Sequence, residues 1–358
     1  MKKSKKRVAI ISRESNQKTL DIRLLEEELL RRGIEVKTLC RLLTKEKSLK
    51  AAGYMGHILK QEAEILRSDV VVLDTYCIPA SLLPHRKGTK VVQMWHALGA
   101  IKKFGWQTVG KEDGTSPKTA RLMRMHRGYD HVVCASDITA GHFCEAFDVS
   151  RDRIAKYGLP RIDHIRSVAL GKDRQKTADR IYGKYPELKG KKIVLYAPTF
   201  RRNGTDDGGR LVKALEAAGH SVVVKLHPLY RNADAQCAGS AVYDDEFTSY
   251  EWLSVADAII SDYSSLVIEA SLAGKPLYLY LYDIGEYSNS TGLNIDFSRE
   301  PVAPYAFTDA EELAAAIDRD YDINALNEFR DRYIDIDTGS VDEGYCTSKL
   351  ADFIESLM

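Results

Sequence analysis

Short, wholly apolar runs recur along this chain, and each is followed by a stretch with helical periodicity. Val8-Ala9-Ile10-Ile11, Val70 to Leu73 and Val91 to Met94 carry no alternating polar positions, and Val132-Val133 begins a shorter run. The pattern restarts at Lys192 to Ala197, Ser221 to Leu226, Ala258 to Ile260 and Leu277 to Tyr282. A strand that is apolar on both faces must be covered on both faces, which suits a parallel sheet between helix layers. Residues 17 to 32 read as one covering helix, with Leu20, Leu24, Leu25 and Leu29 as its apolar stripe and Gly33 as its stop. Residues 211 to 218 read as another, and late helices are expected over 308 to 319, 322 to 333 and 341 to 357. The charged stretch 166 to 191 separates the two series. The expectation is therefore α/β: two doubly wound domains facing a cleft, 1–170 and 171–358, with the late helices closing the second.

At 358 residues and 44% hydrophobic, the chain has room for two such cores. A net charge of +1 argues against a nucleic-acid partner. The six cysteines, at 40, 77, 134, 144, 237 and 346, have no CxxC spacing and read as reduced thiols of a cytosolic protein. No signal peptide or membrane-spanning run is read, so any membrane contact is expected to be peripheral. One local charge excess stands out. Lys102, Lys103, Lys111, Lys118, Arg121, Arg124 and Arg127 are interleaved with Phe104, Trp106 and Met125, a composition suited to an anionic membrane surface.

Candidate chemistry gathers where apolar runs end. The segment 257 to 283 places Asp262-Tyr263-Ser264-Ser265 between a strand and a helix. Two hydroxyls and the first amides of a helix form an anion site suited to a diphosphate. Glu269, about one turn on, is placed to accept from ribose hydroxyls. His96 follows the run ending at Met94 and is a candidate general base, with Lys102 and Lys103 nearby for an anionic substrate. Lys225 and His227 share a face at another strand end. Thr199 and Arg201 follow Tyr196-Ala197-Pro198, and Arg161 sits in the loop Gly158 to Asp163, suited to a bidentate phosphate contact. No HExxH, Cys/His ligand set, GxSxG, GxGxxG or GxxxxGK[ST] is present.

Five of these motifs, in order, resemble the CDP-glycerol glycerophosphotransferase family of teichoic acid synthesis: WHALGAIKKFG (95–105), GLPRID (158–163), YAPTFR (196–201), KLHP (225–228) and SDYSSLVIEASLAGKP (261–276). The resemblance implies two Rossmann-like domains in a GT-B-like arrangement. The first would serve acceptor and membrane, the second the nucleotide donor. It implies transfer of glycerol phosphate or ribitol phosphate from a CDP-polyol to a hydroxyl of a lipid-linked saccharide or polyol-phosphate acceptor. CMP would be released at the cytoplasmic face of the membrane, without cofactor or metal. It makes His96 the base and His227 the phosphate-stabilising histidine. Donor contacts are implied for Ala97, Leu98, Gly99, Ala100, Arg161, Thr199, Phe200, Lys225, Ser264, Ser265 and Glu269. Two departures bear on the donor. Ala97-Leu98-Gly99 stands where the family commonly has Gly-Thr-Pro, and Glu269 where it often has Asp. A GT-B glycosyltransferase using a nucleotide sugar is the alternative, and a non-catalytic protein that kept the fold is a third reading.

Overall fold

The computed structural model describes residues 6–43, 49–111, 114–199, 207–226, 239–290 and 292–358. The chain divides into two units, Met1–Asp163 with Ile334–Met358, and His164–Tyr333. In the first unit β1 (Arg7–Ser12), β2 (Glu35–Cys40), β3 (Val70–Leu73), β4 (Lys90–Gln93), β5 (His131–Cys134) and β6 (Ile154–Lys156) form one sheet in the order β2-β1-β3-β4-β5-β6. Every pairing is parallel. In the second unit β7 (Ile193–Tyr196), β8 (Ser221–Val224), β9 (Val242–Tyr243), β10 (Ala258–Ser261), β11 (Leu277–Tyr280) and β12 (Ala306–Phe307) run in the order β12-β11-β10-β7-β8-β9, again all parallel. The expected architecture of two doubly wound parallel sheets is what the chain adopts.

The apolar runs become the interior strands. Val70 to Leu73 is fully buried, as is Ile193 to Leu195. In each sheet the strand order reverses once, between β1 and β3 and between β7 and β10. At such a reversal the crossover helices leave to opposite faces and open a crevice at the strands' carboxyl ends. The helix expected at 17 to 32 runs Leu20–Arg31, buries Ile22, Leu25 and Leu29, and stops where Gly33 turns left-handed at φ 77°. Of the six cysteines, Cys77, Cys134 and Cys346 are buried and Cys40 and Cys144 partly so; all five are free thiols.

The unit boundary differs from the expected one. It falls between Asp163 and His164, and the chain returns to the first unit at Ile334. The last helix, Tyr345–Ser356, was expected to close the second domain. Instead it packs on Leu20–Arg31. Arg32 Nη1 reaches Asp352 at 2.5 Å, Lys6 reaches Glu355 at 2.6 Å, and the Asp163 carboxylate accepts from the amides of Cys346 and Thr347 at 3.1 and 2.7 Å. Helix Ile323–Tyr333 stays in the second unit and packs on helix Leu266–Ser271.

Candidate active site

In the first unit the candidate residue His96 and its surroundings lie past the carboxyl ends of β1, β3 and β4, beside the sheet's reversal. Strand β4 is stopped by its own side chain: Gln93, fully buried, accepts from the Trp95 amide at 2.9 Å and donates to the Thr75 carbonyl at 3.2 Å. Trp95 then adopts a left-handed φ of 62°. Its ring stacks on Phe104 at 4.6 Å and meets Phe147 edge-on at 5.1 Å. This aromatic packing holds in place a backbone conformation that non-glycine residues rarely adopt. The turn leaves His96 half-buried, with its Nδ1 3.0 Å from the Asp74 carbonyl oxygen just past β3. A carbonyl only accepts, so Nδ1 donates, and the neutral ring carries its lone pair on Nε2.

A second tether holds the same loop. Arg161 Nη2 donates to the His96 carbonyl at 2.8 Å. The arginine is itself gripped by Asp21, whose carboxylate accepts from the Arg161 amide at 2.8 Å, from Nε at 2.8 Å and from Nη2. Both residues are buried. Arg161, expected on donor phosphate, is here the brace between helix Leu20–Arg31 and the His96 loop. Asp74 is also buried, and burial pushes its carboxyl up to about 7, against the lowering pull of hydrogen bonds from Ser12 and Thr75. Among the described residues its Oδ2 has no hydrogen-bond partner. Of the segment after His96, Leu98 and Ala100 are buried apolar side chains, so what 97 to 100 offers a ligand is main chain. Phe104, expected among the membrane-facing residues, belongs to the aromatic cluster instead.

In the second unit Thr199, Lys225, Ser264 and Ser265 all follow carboxyl ends of three adjacent strands, β7, β8 and β10. Asp262 joins two of these ends across the reversal: it accepts from the Thr199 amide at 3.0 Å and from the Thr199 hydroxyl at 2.6 Å. The Ser264 hydroxyl accepts from the Leu266 amide at 3.2 Å, which starts helix Leu266–Ser271. Ser264 and Ser265 are both partly exposed there. Glu269, expected to meet ribose, is buried, and accepts from the Tyr250 hydroxyl at 2.7 Å. Lys225, expected on phosphate, donates to the Asp244 carbonyl at 2.6 Å and to its carboxylate at 3.0 Å. Asp244 also accepts from Trp252 Nε1 and from the Tyr185 hydroxyl, both at 2.9 Å. Its carboxyl is lowered because these hydrogen bonds outweigh the opposing cost of burial, which is the largest single influence. His227 and Phe200 lie outside the described residues.

Sequence reasoning missed Asp21 and Asp244, whose carboxylates hold Arg161 and Lys225, and Asp74, whose main-chain carbonyl holds His96. Asp74 had a signal, a carboxylate directly after a buried parallel strand. Asp21 had none, because an acid in a helix's first turn is ordinarily a solvated one.

The family model described as CDP-Glycerol:Poly(glycerophosphate) glycerophosphotransferase matches residues 1–352. The chain belongs to this family. Among curated relatives of this glycerophosphotransferase-family chain, the teichoic acid ribitol-phosphate primase of Bacillus spizizenii is 31% identical over 325 residues, 86% of this chain and 80% of the primase. The teichoic acid glycerol-phosphate primase of Bacillus subtilis is 28% identical over 310 residues, 84% of this chain and 77% of that one. Among solved structures, the wall teichoic acid polymerase TagF superposes with a TM-score of 0.74 at 19% identity, over 98% of this chain and 88% of that chain, which shows a shared fold. The enzyme class expected from the motifs, a CDP-polyol-type phosphotransferase, is the class of this family, and the nucleotide-sugar alternative is not favoured. No helix among the described residues is long and apolar enough to cross a membrane.

Proposed function

We infer that this family member transfers glycerol phosphate or ribitol phosphate from a CDP-polyol to a hydroxyl of a lipid-linked acceptor at the cytoplasmic face of the membrane. The observation that carries the reading is the bond from His96 Nδ1 to the Asp74 carbonyl, which puts the base lone pair on Nε2. In the reaction, the acceptor hydroxyl gives its proton to His96 Nε2 and its oxygen bonds to the β-phosphorus. The bond from that phosphorus to the bridging oxygen breaks, and CMP leaves with the electron pair. In the second unit, the amides and hydroxyls at Ser264 and Ser265 are suited to the donor's diphosphate. Lys225 is held at the neighbouring strand end by Asp244, and Asp262 keeps the loop at Thr199 in place. A TagF variant has been soaked with CDPG, and relatives include primases of both polyols, so both donors belong in the assay.

The test is CMP release from CDP-glycerol, CDP-ribitol and nucleotide sugars, with a lipid-linked saccharide acceptor and EDTA. CMP should come from a CDP-polyol. His96→Gln should lower kcat by about 10²–10⁴, the usual contribution of a general base, while donor affinity stays unchanged. Turnover of nucleotide sugars alone, or full activity in the variant, would overturn the assignment.

A further inference from the structure

A second cationic feature of the first unit is not used by this chemistry. A cavity of about 600 Å³ is rimmed by Arg121, Arg124, Arg127 and Arg153 and floored by His126 and Phe147. Trp106, Met125 and Val149 form its apolar walls. Arg7, Arg86, Arg151 and Arg210 each have a carboxylate within ion-pair distance. None of the four rim arginines has one among the described residues, although Asp148 also lines the cavity. Like charges gathered around one concavity repel unless an anion joins them. The floor adds no charge: His126 is buried, which depresses its pKa to about 3, and its Nδ1 is 2.9 Å from the Tyr129 hydroxyl. The turn that presents the rim is strained, with Arg124 at φ 44° and His126 at φ 60°. It is braced by Trp106 Nε1 donating to the Met125 carbonyl at 3.0 Å, by the Tyr76 hydroxyl donating to the Met123 carbonyl at 2.5 Å, and by Arg153 Nη1 donating to the Tyr129 carbonyl at 2.5 Å.

We propose that this cavity is a binding site for the phosphate ester of an apolar alcohol, the phosphate held by the arginine rim and the apolar chain by the Trp106–Met125–Phe147 wall. Guanidinium groups match phosphate oxygens in pairs, and an apolar wall below them selects an amphiphile over a bare ion. A cavity this size takes a small ligand rather than a nucleic-acid strand. The floor also touches the catalytic region: Phe147 and His126 both pack on Trp95, next to His96. The site sharpens the anionic-surface reading of residues 101–127 into a discrete pocket, and it is independent of whether the transfer reaction is correctly assigned.

Calorimetry on the full chain tests it, with octyl phosphate below its micellar concentration, octanol, inorganic phosphate, and phosphatidylcholine vesicles with and without phosphatidate. The variant is Arg121→Gln with Arg124→Asn, two exposed positions, asparagine being chosen to tolerate the left-handed backbone. Octyl phosphate should bind one molecule per chain, more tightly than inorganic phosphate or octanol, and about tenfold or more weaker in the variant, as expected for lost charge-assisted contacts. Binding without phosphatidate-dependent sedimentation assigns the site to a soluble ester. Both together, both lost in the variant, assign it to a lipid headgroup. Equal binding by the variant overturns the proposal, and so does attachment to phosphatidate vesicles with no octyl phosphate binding, since that is diffuse surface attraction.

Discussion

Replacing Asp21 by alanine should unsettle the first unit and the His96 loop together. Asp21 is 1% exposed, and its carboxylate takes the Arg161 amide, Nε and Nη2. Arg161 is 9% exposed, so removing the carboxylate strands a guanidinium away from water. Breaking a buried pair from one side costs about 3–5 kcal/mol, against about 0–1 kcal/mol for a pair at the surface. For a unit of this size that corresponds to a fall in Tm of about 10 °C. Adding Arg161→Met removes the stranded charge, and the double variant should recover to within about 1 kcal/mol of the parent. Urea unfolding followed by tryptophan fluorescence reads all three free energies. CMP release separates the second effect: even where stability recovers, the His96 carbonyl has lost its guanidinium, so kcat should stay low. A loss below about 1 kcal/mol in Asp21→Ala would mean the pair is effectively solvated. A double variant no better than the single would mean the damage is lost packing rather than stranded charge. Either result refutes the argument.

Asp74 should make stability depend on pH. Its folded carboxyl sits near 7, above the usual carboxylate value, so between those values the folded state holds a proton that the unfolded state has lost. Stability therefore falls as pH rises through that window, by up to about 1.4 kcal/mol per unit, and levels off above about 7. Asp74→Asn should flatten the slope between pH 4 and 7, as measured by urea midpoints; an unchanged slope sinks the attribution. Gly158→Ala should destabilise the first unit by about 2 kcal/mol, because Gly158 is left-handed at φ 71° and a Cβ there would stand 2.5 Å from Ile336 Cδ1 and 2.8 Å from Ile162 Cδ1. Thermal unfolding with a loss below about 0.5 kcal/mol would count against that crowding.

Which parts of this molecule its sequence already specified follows from how each part is stabilised. The eight strands read from apolar runs are the interior strands β1, β3, β4 and β5 of the first sheet and β7, β8, β10 and β11 of the second. Burial on both faces writes itself into adjacent residues, so no tertiary information is needed to see it. The strands that went unread, β2, β6, β9 and β12, are the four edges. An edge strand is paired on one side only and partly solvated; Glu35–Cys40 and Val242–Tyr243 show no fully buried residue, and only their neighbours make them strands. The site divides in the same way. Placing His96, Thr199, Lys225 and Ser264 after strand ends was a local inference. Their electrostatic partners were not local: Asp21 meets Arg161 across 140 positions, Asp262 meets Thr199 across 63, and Asp163 meets the last helix across 183. Coulomb and hydrogen-bond energies depend on distance in space, and no local pattern in the chain records which residues folding will bring within 3 Å. Sequence alone therefore named candidate groups and the strand ends they follow. The tertiary structure decided which of them are held by carboxylates, which tautomer His96 adopts, and that the chain's last helix belongs with its first.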